Sequence, residues 1–377
     1  YFPMYGEVFD KNTNNTSFWV KNAGYNEMLD FPFQSAAVEF AQFGLSESLG
    51  DVFNNDDKYI TAQSSANQLG TFLGNHDMGR IGSFIASTAM SSSEALSRVQ
   101  LAHALLFLVR GNPIVYYGDE FGLQGADDKE ARQDLFPTGV TSWKTQPRIG
   151  ASPIANRSSF DTTNPIQTTI KTLTSLRNAN PVFINGAQQT RVASNNVYIA
   201  TRFDPTDRRE YIIAFNAGST TKTQLLTLPT VGANWTKLAG TGTAINSAGK
   251  VSVTLPKLSW AVYRASAQVP LASGMAISVA KPVVNPTDAT TLYATATVKG
   301  TGYASVELQA STDGKTWQSL GTDRNQAFST DPTKAGFYSF MPSRSLFNKS
   351  TPYQFRVVAT GVGGARITSA SVTMTPQ

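Results

Sequence analysis

Apolar and polar positions follow two successive patterns along the chain. The first is an apolar strand with polar residues at its end, then a loop, then an apolar helix. Tyr1 to Tyr5 is such a run, followed by Gly6, Glu7 and Asp10. Met28 to Phe33 is the second, ending at Gln34, with an Ala-rich helix from Ser35 to about Phe43. A loop rich in Ser, Asn and Asp spans Ser46 to Ala66 and leads to the third strand, Leu69 to Gly74, which ends on Asn75-His76-Asp77. Ser91 to Ser93 offer N-caps and Glu94 a first-turn acid to a helix reaching about Arg110. Its Leu96, Val99, Ala102, Leu105, Leu106 and Val109 keep helical spacing. Gly111 and Pro113 stop that helix, Ile114 to Tyr117 is the fourth strand, and a last helix runs from Ile166 to Arg177.

Strands alternating with helices predict parallel β/α units, and four of them make half of a (β/α)₈ TIM barrel. In that architecture chemistry sits at the C-terminal ends of strands, where Glu7, His76, Asp77 and Glu120 all fall. A doubly wound open sheet fits the same alternation, but no Gly-rich phosphate loop opens a helix.

The second pattern begins near Gln188. Short alternating runs (Val197 to Arg202, Glu210 to Asn216, Thr223 to Leu228, Lys250 to Leu255, Ser259 to Ala265) predict an antiparallel β-domain over 188–266. Ala267 to Pro286 carries three prolines and reads as linker and strand entry. Strands near Thr291 to Val298, Ala304 to Ser311, Gly336 to Pro342, Tyr353 to Thr360 and Thr368 to Thr375 predict an immunoglobulin-like or fibronectin-like sandwich over 274–377. Asp313-Gly314 supplies a hairpin signal within it. The catalytic-type segment is then 1–187. Because YFPMYGEVFD begins inside a strand-like run, further sequence is expected upstream.

Composition narrows the picture only slightly. Of the 377 residues 41% are hydrophobic and 15% charged, which is a globular balance. The net charge of +5 is not gathered into a basic stripe, so nucleic acid is not an expected partner. There is no cysteine, which excludes disulfides and thiolate metal sites. The longest apolar run, Leu101 to Val109, is too short to span a bilayer and contains His103, which reads as structural.

Glycoside hydrolysis needs two carboxyl groups flanking the bond, one protonating the leaving oxygen and the other attacking the anomeric carbon or activating water. Glu7 and Asp77 at separate strand ends are candidates for such a pair. Three ordered motifs bear on this: GEVFD (Gly6 to Asp10), FLGNHD (Phe72 to Asp77) followed by Met78-Gly79-Arg80, and GNPIVYYGDEFG (Gly111 to Gly122). In order and approximate spacing they resemble motifs of the α-amylase family of glycoside hydrolases, over about Tyr1 to Ala265. The resemblance implies a retaining α-glucan hydrolase. It makes Glu7 the general acid/base, Asp77 the carboxylate that stabilises the oxocarbenium-like transition state, and His76 a hydrogen-bonding partner of sugar hydroxyls. Asn75 and Arg80 join the substrate-binding set, Arg80 facing the cleft or pairing with an acid. A general acid there must hold its proton near neutral pH, which desolvation and neighbouring carboxylates favour. The family's nucleophile is an aspartate on the fourth barrel strand, two residues after an arginine, in a segment expected before Tyr1; none of the four strands expected here carries that motif. The missing N-terminal half of the barrel is therefore an expected partner, as is an α-glucan polysaccharide or oligosaccharide. No cofactor is expected in this chain. Ca²⁺ is expected mainly in the missing half, with Asp56-Asp57 and Asp127-Asp128 as acidic pairs that hard cations could use.

Other residues invite smaller expectations. Glu120 supports the site, Tyr116 and Tyr117 pack the barrel floor, and Trp317 is either a sandwich core residue or a sugar-stacking platform. Two alternatives stay open: an α-1,6 debranching enzyme or transglycosylase of the same family, and a non-catalytic carbohydrate-binding protein. A polymeric substrate, appended β-modules and a Ser/Thr/Asn-rich surface point to a secreted or periplasmic protein.

Overall fold

The computed structural model describes residues 4–88, 90–204, 206–230, 232–301, 304–324 and 336–376. Of the first expected strand, Tyr1 to Pro3 lie outside these.

Four short parallel strands organise the first segment: β1 (Tyr5–Gly6), β2 (Glu27–Met28), β3 (Gly70–Phe72) and β4 (Asn112–Ile114). Gly6 pairs with Met28, Leu29 bridges to Gly70, and Phe72 pairs with Ile114, all in parallel. The helices between them are α1 (Thr13–Ala23), α2 (Phe31–Phe43), α3 (Ser46–Asn54), α4 (Ile81–Ala86) and α5 (Ser92–Leu108). After β4 come α6 (Thr141–Thr145), α7 (Pro165–Ala179) and α8 (Val182–Asn185).

α5 starts as its sequence predicts, with the Ser91 hydroxyl accepting from the Glu94 amide at 3.2 Å. Its last turn carries no basic residue. The carbonyls left open there are met from other elements: Arg177 donates to Phe107 and Arg202 to Leu108.

Four expectations change, the first being that the fourth strand is Asn112–Ile114 and not Ile114 to Tyr117. Met28 to Phe33 is not one strand: Asp30 caps α2, accepting from the Phe33 amide at 3.0 Å, and Pro32 suits the first turn, so Phe31 to Phe33 are helical. The Ser46 to Ala66 stretch contains α3, which buries Leu49 and Phe53. Helix α1 is an addition. Its Asn- and Thr-rich sequence buries only Thr16, Ser17 and Val20, yet Asn12 caps one end and Gly24, with φ of 75°, closes the other.

The β-domain is antiparallel throughout. Five strands run Ala187–Ser194, Val197–Phe203, Glu210–Asn216, Ser259–Ala265 and Trp235–Gly240 across one sheet, beside a three-stranded sheet. One core serves both this domain and the β/α segment, with Phe33, Phe40 and Leu105 packing in the same cluster as Tyr198, Phe215 and Val262.

The C-terminal region is two antiparallel sheets facing across Leu292, Val306, Leu308, Tyr338, Phe340 and Phe355. Ala267 to Pro286 is more than linker, since Ser273–Val279 and Val283–Val284 are strands of the first sheet. Trp317 is neither core nor bare platform: the Arg356 guanidinium lies 3.9 Å over its ring, and its indole N–H donates to Gly314. Among the described residues no helix is long and apolar enough to cross a membrane.

Candidate active site

The β3 end is shaped by Asn75. Its Oδ1 accepts from the amides of Asp77 (2.9 Å) and Met78 (3.1 Å), and its backbone bridges to Gly79. This tight turn projects His76 and Asp77 outward, their side chains 52% and 41% exposed. Gly79 is required in the turn: φ is 101°, and a Cβ there would lie 2.7 Å from the Ala126 carbonyl oxygen. The Asn75 Oδ1, expected at the substrate, is thus committed to the backbone. The Asp77 carboxylate has two neighbours, His76 Nε2 at 3.3 Å and Arg132 Nη2 at 3.0 Å.

Glu7 is exposed just beyond β1. The backbone beneath it is tied to the next strands: the Leu29 amide donates to Gly6, and the Asp30 amide to Gly70. Glu7 and the His76-Asp77 pair therefore leave the same end of one parallel sheet, with β2 between them. Phe9 is 60% exposed and sits 4.6 Å from Phe31, which meets Phe72 edge-on at 5.0 Å. Asp10 is a local cap rather than a second acid. It accepts from the Asn15 side chain (2.5 Å) and the Asn12 amide (2.8 Å), and these bonds hold its carboxyl below the usual range.

Of the two expectations for Arg80, pairing with an acid holds, whereas facing the cleft, and with it the place in the substrate-binding set, is corrected. Its side chain is fully buried, bonded to Asp119 (3.0 Å), Gln133 (2.9 Å), and the carbonyls of Tyr117 (2.5 Å) and Ala131 (2.8 Å). With every guanidinium nitrogen engaged and the Tyr116 ring 4.4 Å away, Arg80 pins the β3 and β4 ends together. Burial pushes the Asp119 carboxyl up against the pull of that arginine. Glu120 supports the same loop, accepting from the Gly118 amide at 2.7 Å.

The two tyrosines divide. Tyr116 packs inward and donates to the Ala131 carbonyl, whereas Tyr117 is 41% exposed at the strand end. Tyr117, Phe9 and Arg132 were not singled out from sequence as site residues. Phe9 lies inside the GEVFD motif and could have been. Arg132, in an irregular loop, gave no signal.

Three of the four paired acids accept from protein donors. Asp56 is buried against Arg110, Asp57 accepts from the Ser339 hydroxyl, and Asp127 Oδ1 accepts from the amides of Lys129 and Glu130. Among the described residues no three acidic or histidine side chains converge as a metal site.

Residues 2–172 match the family described as "Alpha amylase, catalytic domain". An α-amylase of Streptomyces lividans is 36% identical over 334 residues, covering 85% of this chain and 36% of its own length. The chain thus spans about a third of that relative. Among solved structures, an α-amylase of Geobacillus thermoleovorans in complex with acarbose superposes with a TM-score of 0.54 at 20% identity, over 71% of this chain and 54% of its own. A γ-cyclomaltodextrin glucanotransferase of alkalophilic Bacillus clarkii superposes with a TM-score of 0.53 at 15% identity, over 99% of this chain and 62% of its own. At those identities the structures speak for the fold alone. Through residues 2–172, the chain belongs to the α-amylase family.

Proposed function

We propose that this chain forms the C-terminal half of the (β/α)₈ barrel of a retaining α-glucan hydrolase, followed by an antiparallel β-domain and an immunoglobulin-like sandwich. The observation that carries the reading is the emergence of Glu7 and His76-Asp77 from one end of a single parallel sheet. Glu7 protonates the glycosidic oxygen and later deprotonates water. Asp77 faces the positive charge that develops on the sugar ring, and His76 beside it donates to a hydroxyl.

The nucleophile belongs to a facing half-barrel, its carboxylate about 5–5.5 Å from Glu7 as retention demands. Two features support a facing half. β1 and β4 each keep one edge unpaired among the described residues, and Met4, Tyr5 and Ile114 stand exposed beside them. Glu7 is also exposed, so the burial an acid needs has to come from the opposite wall. The Geobacillus relative's complex with acarbose supports an oligosaccharide ligand. A polymeric substrate in turn supports a secreted or periplasmic location.

The 377 residues alone are expected to release no reducing sugar from starch. Joining them to an upstream half that carries the aspartate should restore release. Turnover by the chain as a monomer contradicts the reading. The nearly full-length fold match to a cyclomaltodextrin glucanotransferase favours transglycosylation as the second reading. Cyclic or transferred products, in place of new reducing ends, would select it.

A further inference from the structure

We propose that the C-terminal sandwich positions Glu7 through helix α1, as a fixed buttress of the catalytic segment. The proposal rests on Glu7 being the acid.

The sandwich grips the end of α1 remote from Glu7. Lys21 Nζ lies 3.3 Å from Asp288, with its side chain only 3% exposed. The Asn22 carboxamide accepts from Ser343 at 2.7 Å and donates to Thr290 at 3.4 Å. A buried ammonium needs its partner, so this contact is not incidental to two bodies on a tether.

A second grip holds the 3₁₀ turn Asp56–Tyr59. Asp57 accepts from the Ser339 hydroxyl, and Ile60 enters the sandwich core. A Cβ on Gly321 would lie 2.5 Å from Ile60 Cγ2, so the two surfaces meet without slack. The turn holds the first turn of α1, through Thr16 and Tyr59 hydroxyls 2.6 Å apart and Lys58 donating to Asn14 at 2.7 Å.

From the other end of α1 the path to Glu7 is short. Asn15, in the first turn, donates to Asp10, and the Asp10 amide donates to Val8, the residue after Glu7. Contacts are therefore continuous from the sandwich through α1 to the acid-bearing loop. Misplacing a catalytic group by about an ångström can cost on the order of 10²-fold, so a loosened α1 should show in the chemistry.

The test uses Lys21→Met, with Lys21→Arg as rescue and Ser343→Ala as a milder variant should the first fail to fold. Hydrogen exchange on this chain, which needs no activity, should show amides of Val8 to Ala23 opening about 10-fold faster in Lys21→Met and recovering in Lys21→Arg. In the active protein, kcat on an α-glucan should fall on the order of 10-fold with KM unchanged, while an α-glucosyl fluoride, which needs little protonation, is hardly affected. Unchanged exchange in α1 overturns the proposal. So does an equal loss on both substrates, which would make the sandwich a stabiliser only. If Glu7→Gln itself shows no dependence on leaving group, the acid assignment fails and the proposal with it, although the exchange result still reports whether sandwich and α1 are coupled.

Discussion

The carboxylates around the four parallel strands fall into two groups. Just before β4, Arg110 is 1% exposed and joins two buried acids. It donates to Asp56 through Nε (2.9 Å) and Nη2 (2.7 Å), and to Asp30 through Nη1. Burial alone would weaken the arginine's hold on its proton; the two carboxylates outweigh that and strengthen it. Glu7, by contrast, is exposed, and among the described residues Asp77 meets His76 and Arg132, themselves about half exposed. Charge enclosed with its partner holds structure together. Charge left at an open strand end, on a turn built to present it, remains available to a substrate. Strand-end position alone does not separate the two, since Asp30 and Glu7 both follow strands; burial and partner do.

The largest expected effect comes from breaking the enclosed group. Arg110→Met leaves Asp30 and Asp56 buried without a cation and should cost about 3–5 kcal/mol, read from the urea midpoint of unfolding. A loss below about 1 kcal/mol would mean that the triad is solvated and that the contrast is false.

The two histidines sharpen the contrast next. His103 is buried in α5 with Nδ1 2.8 Å from the Val99 carbonyl, and burial lowers it to about 4. Its folded value lies below its unfolded one, so the stability it confers is complete above about pH 6.5 and is lost as pH falls towards 4. The difference in unfolding free energy between wild type and His103→Gln should therefore change across that window, by on the order of 3 kcal/mol. His76, at the open end, has no such enclosure: its side chain is 52% exposed.

The smallest effect belongs to the exposed pair. Arg132→Ala removes a half-exposed partner of Asp77 and should change stability by less than about 1 kcal/mol. A larger loss would place Asp77 among the structural carboxylates.

How much of this was legible follows from how local each determinant is. α5 could be read because Ser91, Glu94 and the apolar spacing lie within the helix or beside it. α2 was misplaced because Phe31 to Phe33 form an apolar run like a strand, and only the Asp30 cap and Pro32 turn it helical. α1 was missed because so little of it is buried; its caps and its contacts with a domain some 270 residues away hold it. At the site, the motifs fall at strand ends, Glu7 after β1 and Asn75 to Asp77 after β3. The fate of Arg80 was hidden, since its partner Asp119 is 39 residues on, and so was Arg132, 55 residues from Asp77. Sequence shows which residues lie at the ends, whereas long-range pairing decides which of them stay free.

The most direct test of the account compares leaving groups in the protein with a complete barrel. Glu7→Gln keeps the shape of the side chain and removes its proton. Turnover on an α-glucan should fall on the order of 10²–10⁴-fold, while the glycosylation step with an α-glucosyl fluoride should be far less affected. Asp77→Asn, which removes charge stabilisation, should slow both substrates. If Glu7→Gln slows the fluoride as severely as the glucan, Glu7 is not the acid and the division between structural and catalytic carboxylates drawn here is wrong.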